Sequence, residues 1–184
     1  MYLIGTVQEG VANIDDFIWR LVASSIDIKG YEQEDADLWL YVSDVRGVAE
    51  KVVGCLYGDG AEENRSIKIL DGITMQQFWN ILTIELGYEL RSLRREDFRN
   101  KMRMSIEEKG EKHLLWPLLF MLENGESLLP IEVKPEFRGC ERTTEISAAI
   151  KANIEYLIHL GYLAEPGGGK MSLREDEAFR RSHK

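Results

Sequence analysis

Apolar residues recur along the chain at two periods, and the switches between them lay out the expected elements. MYLIGTV, residues 1–7, is a continuous apolar run expected as a strand end entering a loop. Phe17, Ile18, Leu21, Val22 and Ile26 follow at helical spacing, with Asn13 or Asp15 as the expected N-cap and Gly30 as the stop. The acidic YEQEDAD reads as a loop and LWLYVSD as a strand rich in aromatic and branched residues. Asp44 is expected to cap a helix carrying Val45, Val48, Ala49, Val52 and Val53. YGDGAEENR reads as a loop, and SIKILDG as a second strand stopped by its glycine.

The later part of the pattern is more helical. Thr74 starts a helix with Phe78, Ile81 and Leu82 on one face and Gly87 as its terminator. YELRSL is a short extended piece, and REDFRNKMRMSIEEKG a charged amphipathic helix. HLLWPLLFMLEN predicts a compact apolar helix with Pro117 in its first turn or at a kink. Residues 124–142 read as irregular. The strongest helix is TTEISAAIKANIEYLIHLG, with Ile146, Ile150, Ile154, Leu157 and Ile158 in a stripe, before a polar tail. The whole predicts an α+β chain, mostly helical, divided as residues 1–91, 92–165 and a flexible tail 166–184.

Composition narrows the class. The chain has 184 residues, enough to bury a sizeable core, and its 30% charged residues are ordinary for a globular protein. No apolar run approaches the length of a membrane span, and the first residues lack the pattern of a signal peptide. Cys55 and Cys140 cannot build a disulfide scaffold, so a cytoplasmic, reducing setting is expected. Lys and Arg total 23 against 32 Asp and Glu, a net charge of -9, which disfavours nucleic acid as a partner. The long last helix followed by GYLAEP, GGG and KMSLR has the outline of a winged helix, but Lys151 is a poor basis for phosphate contact.

No catalytic constellation is complete. His113, His159 and His183 stand far apart, and the two cysteines have no neighbouring histidine to suggest zinc. There is no G-x-G-x-x-G, no phosphate loop around Gly167–Gly169, and no Tyr followed four places on by Lys. Taken alone, these residues read as a mixed domain without its own chemistry, or a small acidic protein-interaction domain.

The order of the segments adds a resemblance. NIDDF at 13–17, Val42-Ser43-Asp44-Val45, ITMQQFW at 73–79, the His113–Leu119 stretch and Tyr156-Leu157 through Leu163 occur in this sequence. Their succession resembles the carboxy-terminal half of thioester reductase domains, which are extended short-chain dehydrogenases. Such domains close fungal nonribosomal-peptide-synthetase-like, aryl-acid and aminoadipate reductases. The likeness covers about residues 3–165, and the small residue expected after Val45 falls only at Ala49.

That resemblance implies the last strands of a Rossmann-type sheet joined to a helical substrate lobe. It implies NADPH as the hydride source and an acyl thioester carried by a phosphopantetheinyl carrier domain as substrate, released as aldehyde or alcohol. It also places the glycine-rich cofactor turn and the Tyr-x-x-x-Lys pair in an amino-terminal half outside this chain, so the isolated chain is expected to be inactive and to self-associate through an uncovered sheet. By the same likeness, Gly5, Thr6 and Val7 would lie beside the nicotinamide. Asn13, with Asp15 and Asp16, would orient the pantetheine arm. Trp19, Trp39 and Tyr41 would wall the acyl group, and Arg95, Arg99 and Arg103, one face of a basic stretch, would dock the acidic carrier.

Overall fold

The computed structural model describes residues 2–57, 71–123, 131–132 and 142–167. Its spine is the strand β3 (Trp39–Asp44), which is paired on both edges. On one edge lies β4 (Gly72–Thr74), antiparallel, with Trp39 opposite Thr74. The other edge carries β1 (Tyr2–Ile4), parallel, with Ile4 opposite Asp44, and further back β6 (Ile131–Glu132), antiparallel. A separate pair, β2 (Gly30–Glu32) and β5 (Arg91–Leu93), runs parallel. Around them stand α1 (Phe17–Ile28), α2 (Val45–Tyr57), α3 (Met75–Asn80), α4 (Arg95–Lys109), α5 (Leu119–Glu123) and α6 (Thr143–His159). This is the α+β, mostly helical chain that the patterning predicts.

The stripes bury as their spacing requires. α4 buries Phe98, Met102 and Ile106, and α6 buries Ile146, Ile150, Ile154 and Leu157. These join Ile18, Trp19 and Val22 of α1 and Leu40 and Val42 of β3 in one hydrophobic cluster running from Ile4 to Leu163. Thr74 opens α3 with a capping box: its hydroxyl accepts from the Gln77 N–H, and the Gln77 side chain accepts from the Thr74 N–H. A π-helical turn, Ile81–Glu85, follows, and Gly87 leaves it at φ +79°.

Four local expectations are corrected. The N-cap of α1 is Asp16, not Asn13 or Asp15, because Asn13 turns back to accept the Asp15 N–H at 3.1 Å. The helix stops at Lys29, left-handed at φ 53°, so Gly30 and the next two residues are free to form β2 within the expected loop. Gly72 begins β4 rather than ending a strand; residues 66–70 lie outside the described residues. The segment around Pro117 is not one helix but 3₁₀ turns at Gly110–Lys112 and Trp116–Leu118 leading into the short α5. His113 accepts the Leu115 N–H on Nδ1 at 3.0 Å, and Pro117 has no N–H to extend a helix backward.

Candidate functional site

Because β1 and β3 run parallel, their carboxy ends open on the same side of the sheet, where α/β folds place ligands. The loop leaving β1 folds back on itself there. A Cβ on Gly5 would lie 2.2 Å from the Val11 carbonyl oxygen, so the backbone of Val11 occupies the close approach that Gly5 permits. The Gly5 N–H donates to Asn153 Oδ1 and its carbonyl accepts from Asn153 Nδ2, both at 3.1 Å. Thr6 is buried; its hydroxyl accepts the Glu9 N–H and its carbonyl the Gly10 N–H. Val7 and Val11 remain about half exposed. Of Gly5, Thr6 and Val7, the side chain that faces outward is therefore Val7. With Val11 it forms a small apolar surface at the loop tip.

Beside that loop, a charged knot closes the end of β3. Arg142, at the start of α6, donates to Asp44 at 2.5 Å and lies 3.6 Å from Asp71. Lys51 of α2 donates to both Asp71 oxygens at 3.0 and 2.9 Å, and the Ser43 hydroxyl to one of them at 2.7 Å. Asp44 also accepts the Gly47 N–H at 2.9 Å, capping α2 as its position predicts. Burial pushes the Asp71 carboxyl up, but the bonds from Lys51 and Ser43 with the Lys51 and Arg142 charges outweigh it, and the net shift is downward. No local pattern announces this knot, because its members lie as far apart as Ser43 and Arg142.

Trp19 and Trp39 are enclosed in the core, and the Trp19 indole N–H meets no acceptor. Tyr41 is half-buried in the middle of β3. Asn13 is exposed and donates to Asp16, while Asp15 pairs with Arg20 at 3.1 Å. Elsewhere, Tyr31 stacks on Trp79 at 5.1 Å, with Phe78 edge-on to Trp79. His113 is buried, and burial, then the Lys109 charge, push its pKa down against Asp27.

On α4, Arg95 is committed within the chain: it pairs with Glu32 of β2 and donates to Asp35 at 2.6 Å. Arg103 lies 3.9 Å from Glu107, and Arg94, mostly exposed, pairs with Asp97 at 3.1 Å. Arg94, Arg95 and Arg99, with Glu34 and Glu96, line an open depression of about 410 Å³. Among the described residues no group of His, Cys, Asp or Glu is placed to hold a metal ion, and no helix is long and apolar enough to cross a membrane.

No family model matches the chain. It is 32% identical over 182 residues to N-benzoylphenylalaninol synthetase apmA of Penicillium brevicompactum, covering 98% of this chain and 8% of that protein. It is 30% identical over 162 residues to nonribosomal peptide synthetase malG of Malbranchea aurantiaca, covering 88% of this chain and 7% of that protein. Its fold matches the reductase domain of PhqB from Penicillium fellutanum with a TM-score of 0.71 at 28% identity, over 88% of this chain and 46% of that one. The fold also matches the terminal R domain of the myxalamid biosynthetic pathway, with a TM-score of 0.67 at 19% identity, over 90% of this chain and 43% of that one. The chain thus spans just under half of the matched reductase-domain structures and a small part of its curated relatives.

Proposed function

Because the chain belongs with the reductase domains of fungal nonribosomal peptide synthetases, we propose that it is the substrate- and carrier-facing lobe of an NADPH-dependent thioester reductase. The observation that carries this reading is the fold match to a reductase domain across 88% of the chain. In the complete domain, reduced nicotinamide would supply a hydride to the thioester carbonyl carbon. Cleavage of the C–S bond with a proton to the carrier sulfur would release an aldehyde, and a second hydride together with a proton would give the alcohol.

This chain's own residues serve positioning. The loop tip, Val7 and Val11, offers an apolar surface at the carboxy ends of β1 and β3, where excluding water favours transfer between closely held groups. The exposed arginines of and beside α4 attract a carrier domain that is acidic around its pantetheinylated serine. Asn13, which donates to Asp16, would orient the pantetheine arm, and Tyr41, half-buried on β3, would wall the acyl group. Trp19 and Trp39 would support such a pocket from behind, since both are enclosed.

The test is complementation. Residues 1–184 alone, and then the same residues joined to the amino-terminal half of a homologous reductase domain, are assayed for thioester-dependent NADPH oxidation. The joined protein is expected to turn over and the isolated chain to be silent. Turnover by the isolated chain, or silence from a correctly folded joined protein, would reject the reading.

A further inference from the structure

Asn153 is the one amide in the buried stripe of α6, fully enclosed among Ile146, Ala149, Ile150, Ile154 and Leu157. An amide there costs free energy unless its hydrogen bonds are met. Here they are met by the loop after β1: Oδ1 takes the Gly5 N–H, while Nδ2 serves the Gly5 carbonyl and the Ala149 carbonyl, the last at 2.7 Å. One side chain therefore brackets both polar groups of a single residue, as a neighbouring strand would, at the point where β1 ends. The next turn of the loop rests on the same helix. A Cβ on Gly10 would lie 2.9 Å from the Ala152 carbonyl oxygen. Between these two anchors the loop has its own bonds, Thr6 to Glu9 and Thr6 to Gly10.

We infer that Asn153 is the positioning residue of the Gly5–Val11 loop, fixing where Val7 and Val11 stand toward a bound nicotinamide. The inference rests on the reductase reading for the identity of that ligand, and on the bracket alone for the loop. Without the amide, the Gly5 peptide keeps no partner on α6, and the loop tip is free to leave the carboxy end of β1. Catalysis by hydride transfer is sensitive to such displacements, because the reacting atoms must be held within a narrow range of distance.

The experiment compares Asn153→Ala with Ile150→Val, which removes a buried methylene from the same stripe and leaves the bracket intact. Asn153→Ser, which keeps a short donor and acceptor, replaces alanine if that variant fails to fold. Two readouts are taken. Amide hydrogen exchange on residues 1–184 reports the loop, and KM values for NADPH and thioester in the complete reductase domain report the ligand side. Removing Asn153 is expected to speed exchange at Gly5 and Gly10 by about thirtyfold while Ile154 and Leu157 stay protected. It is expected to raise KM for NADPH about tenfold with KM for the thioester within about twofold. Ile150→Val should do neither. Unchanged loop exchange overturns the inference. Faster exchange with an unchanged NADPH KM also overturns it, since the loop would then not serve the cofactor. A complete domain without any NADPH-dependent turnover instead rejects the reductase reading, and exchange alone then decides whether Asn153 holds the loop.

Discussion

A glycine inside a helix ordinarily gives up about 1 kcal/mol relative to alanine. Gly47, in the first turn of α2, is an exception that Arg142 explains. A Cβ at that position would lie 1.8 Å from Arg142 Nη1, so the guanidinium fills the space over the glycine while it reaches Asp44. Gly47→Ala is therefore expected to lower stability by about 1 kcal/mol instead of raising it, because it displaces Arg142 and leaves Asp44 short of a partner. In an Arg142→Leu background the same change should become neutral or stabilising. Urea midpoints of the four proteins check this, and additive effects would show that Arg142 does not set the requirement. The same knot fixes an acid limit. Folded Asp71 titrates below its ordinary value, so its contribution to stability is complete above the unfolded carboxylate range, about pH 4, and is lost as pH falls through the folded value. Asp71→Asn should lose stability at pH 7 and show a flatter decline below about pH 4 than the parent in acid titrations of unfolding.

At the scale of elements, α2 stands out. Its thirteen residues bury only Gly47, while Val45, Val52, Val53, Leu56 and Tyr57 are exposed. Val45, Ala49, Val52, Val53 and Leu56 fall on one face by their spacing, which is the pattern of a helix meant to be covered. β1, at the sheet's edge, pairs with no strand besides β3 among the described residues. The isolated chain is expected to bind a hydrophobic dye and to self-associate at high concentration. Val53→Lys with Leu56→Lys should reduce both without lowering the thermal midpoint. Light scattering that shows a strict monomer, with no dye binding in the parent, would count against a covered face.

At the scale of the molecule, charge is distributed against the average. The chain carries -9 overall, yet Arg91, Arg94, Arg95, Arg99, Lys101 and Arg103 cluster about the start of α4. Arg95 is tied to the largely buried Glu32 and Asp35, whereas Arg94 and Arg103 make only exposed pairs with Asp97 and Glu107, so these two can be changed to test the proposed steering without breaking an internal tie. Exposed charges are screened beyond about 8–10 Å at physiological salt, so their effect falls on association rate and fades as salt rises. Arg94→Glu with Arg103→Glu in the complete reductase is expected to slow turnover of a carrier-tethered substrate severalfold and leave a free pantetheine thioester unchanged. Equal slowing of both substrates, or of neither, would remove the docking role. Arg95→Glu is the poorer probe because it also breaks the tie between β2 and α4.

Local pattern specifies the elements whose burial is periodic: α1, α4, α6, the strand β3 and the capped start at Thr74. Each is specified within one or two helical turns or one strand length, where spacing and capping chemistry act locally. The order of its motifs carried the family, since succession survives where single motifs are weak. Which side chains meet across long separations follows from the packing of the whole fold. By local pattern Asn153 is one polar residue in an apolar stripe and Arg142 one charge before a helix; the loop after β1 meets the first, and Asp44 and Asp71 meet the second. Trp19 and Trp39, which spacing alone leaves equally suited to a wall or a core, are enclosed in the core. Arg95, one of three equivalent arginines by spacing, was singled out by the carboxylates of a distant strand and turn. Helical period says which face a residue shares; what that face meets depends on chain-distant partners, whose positions follow from packing and not from local pattern.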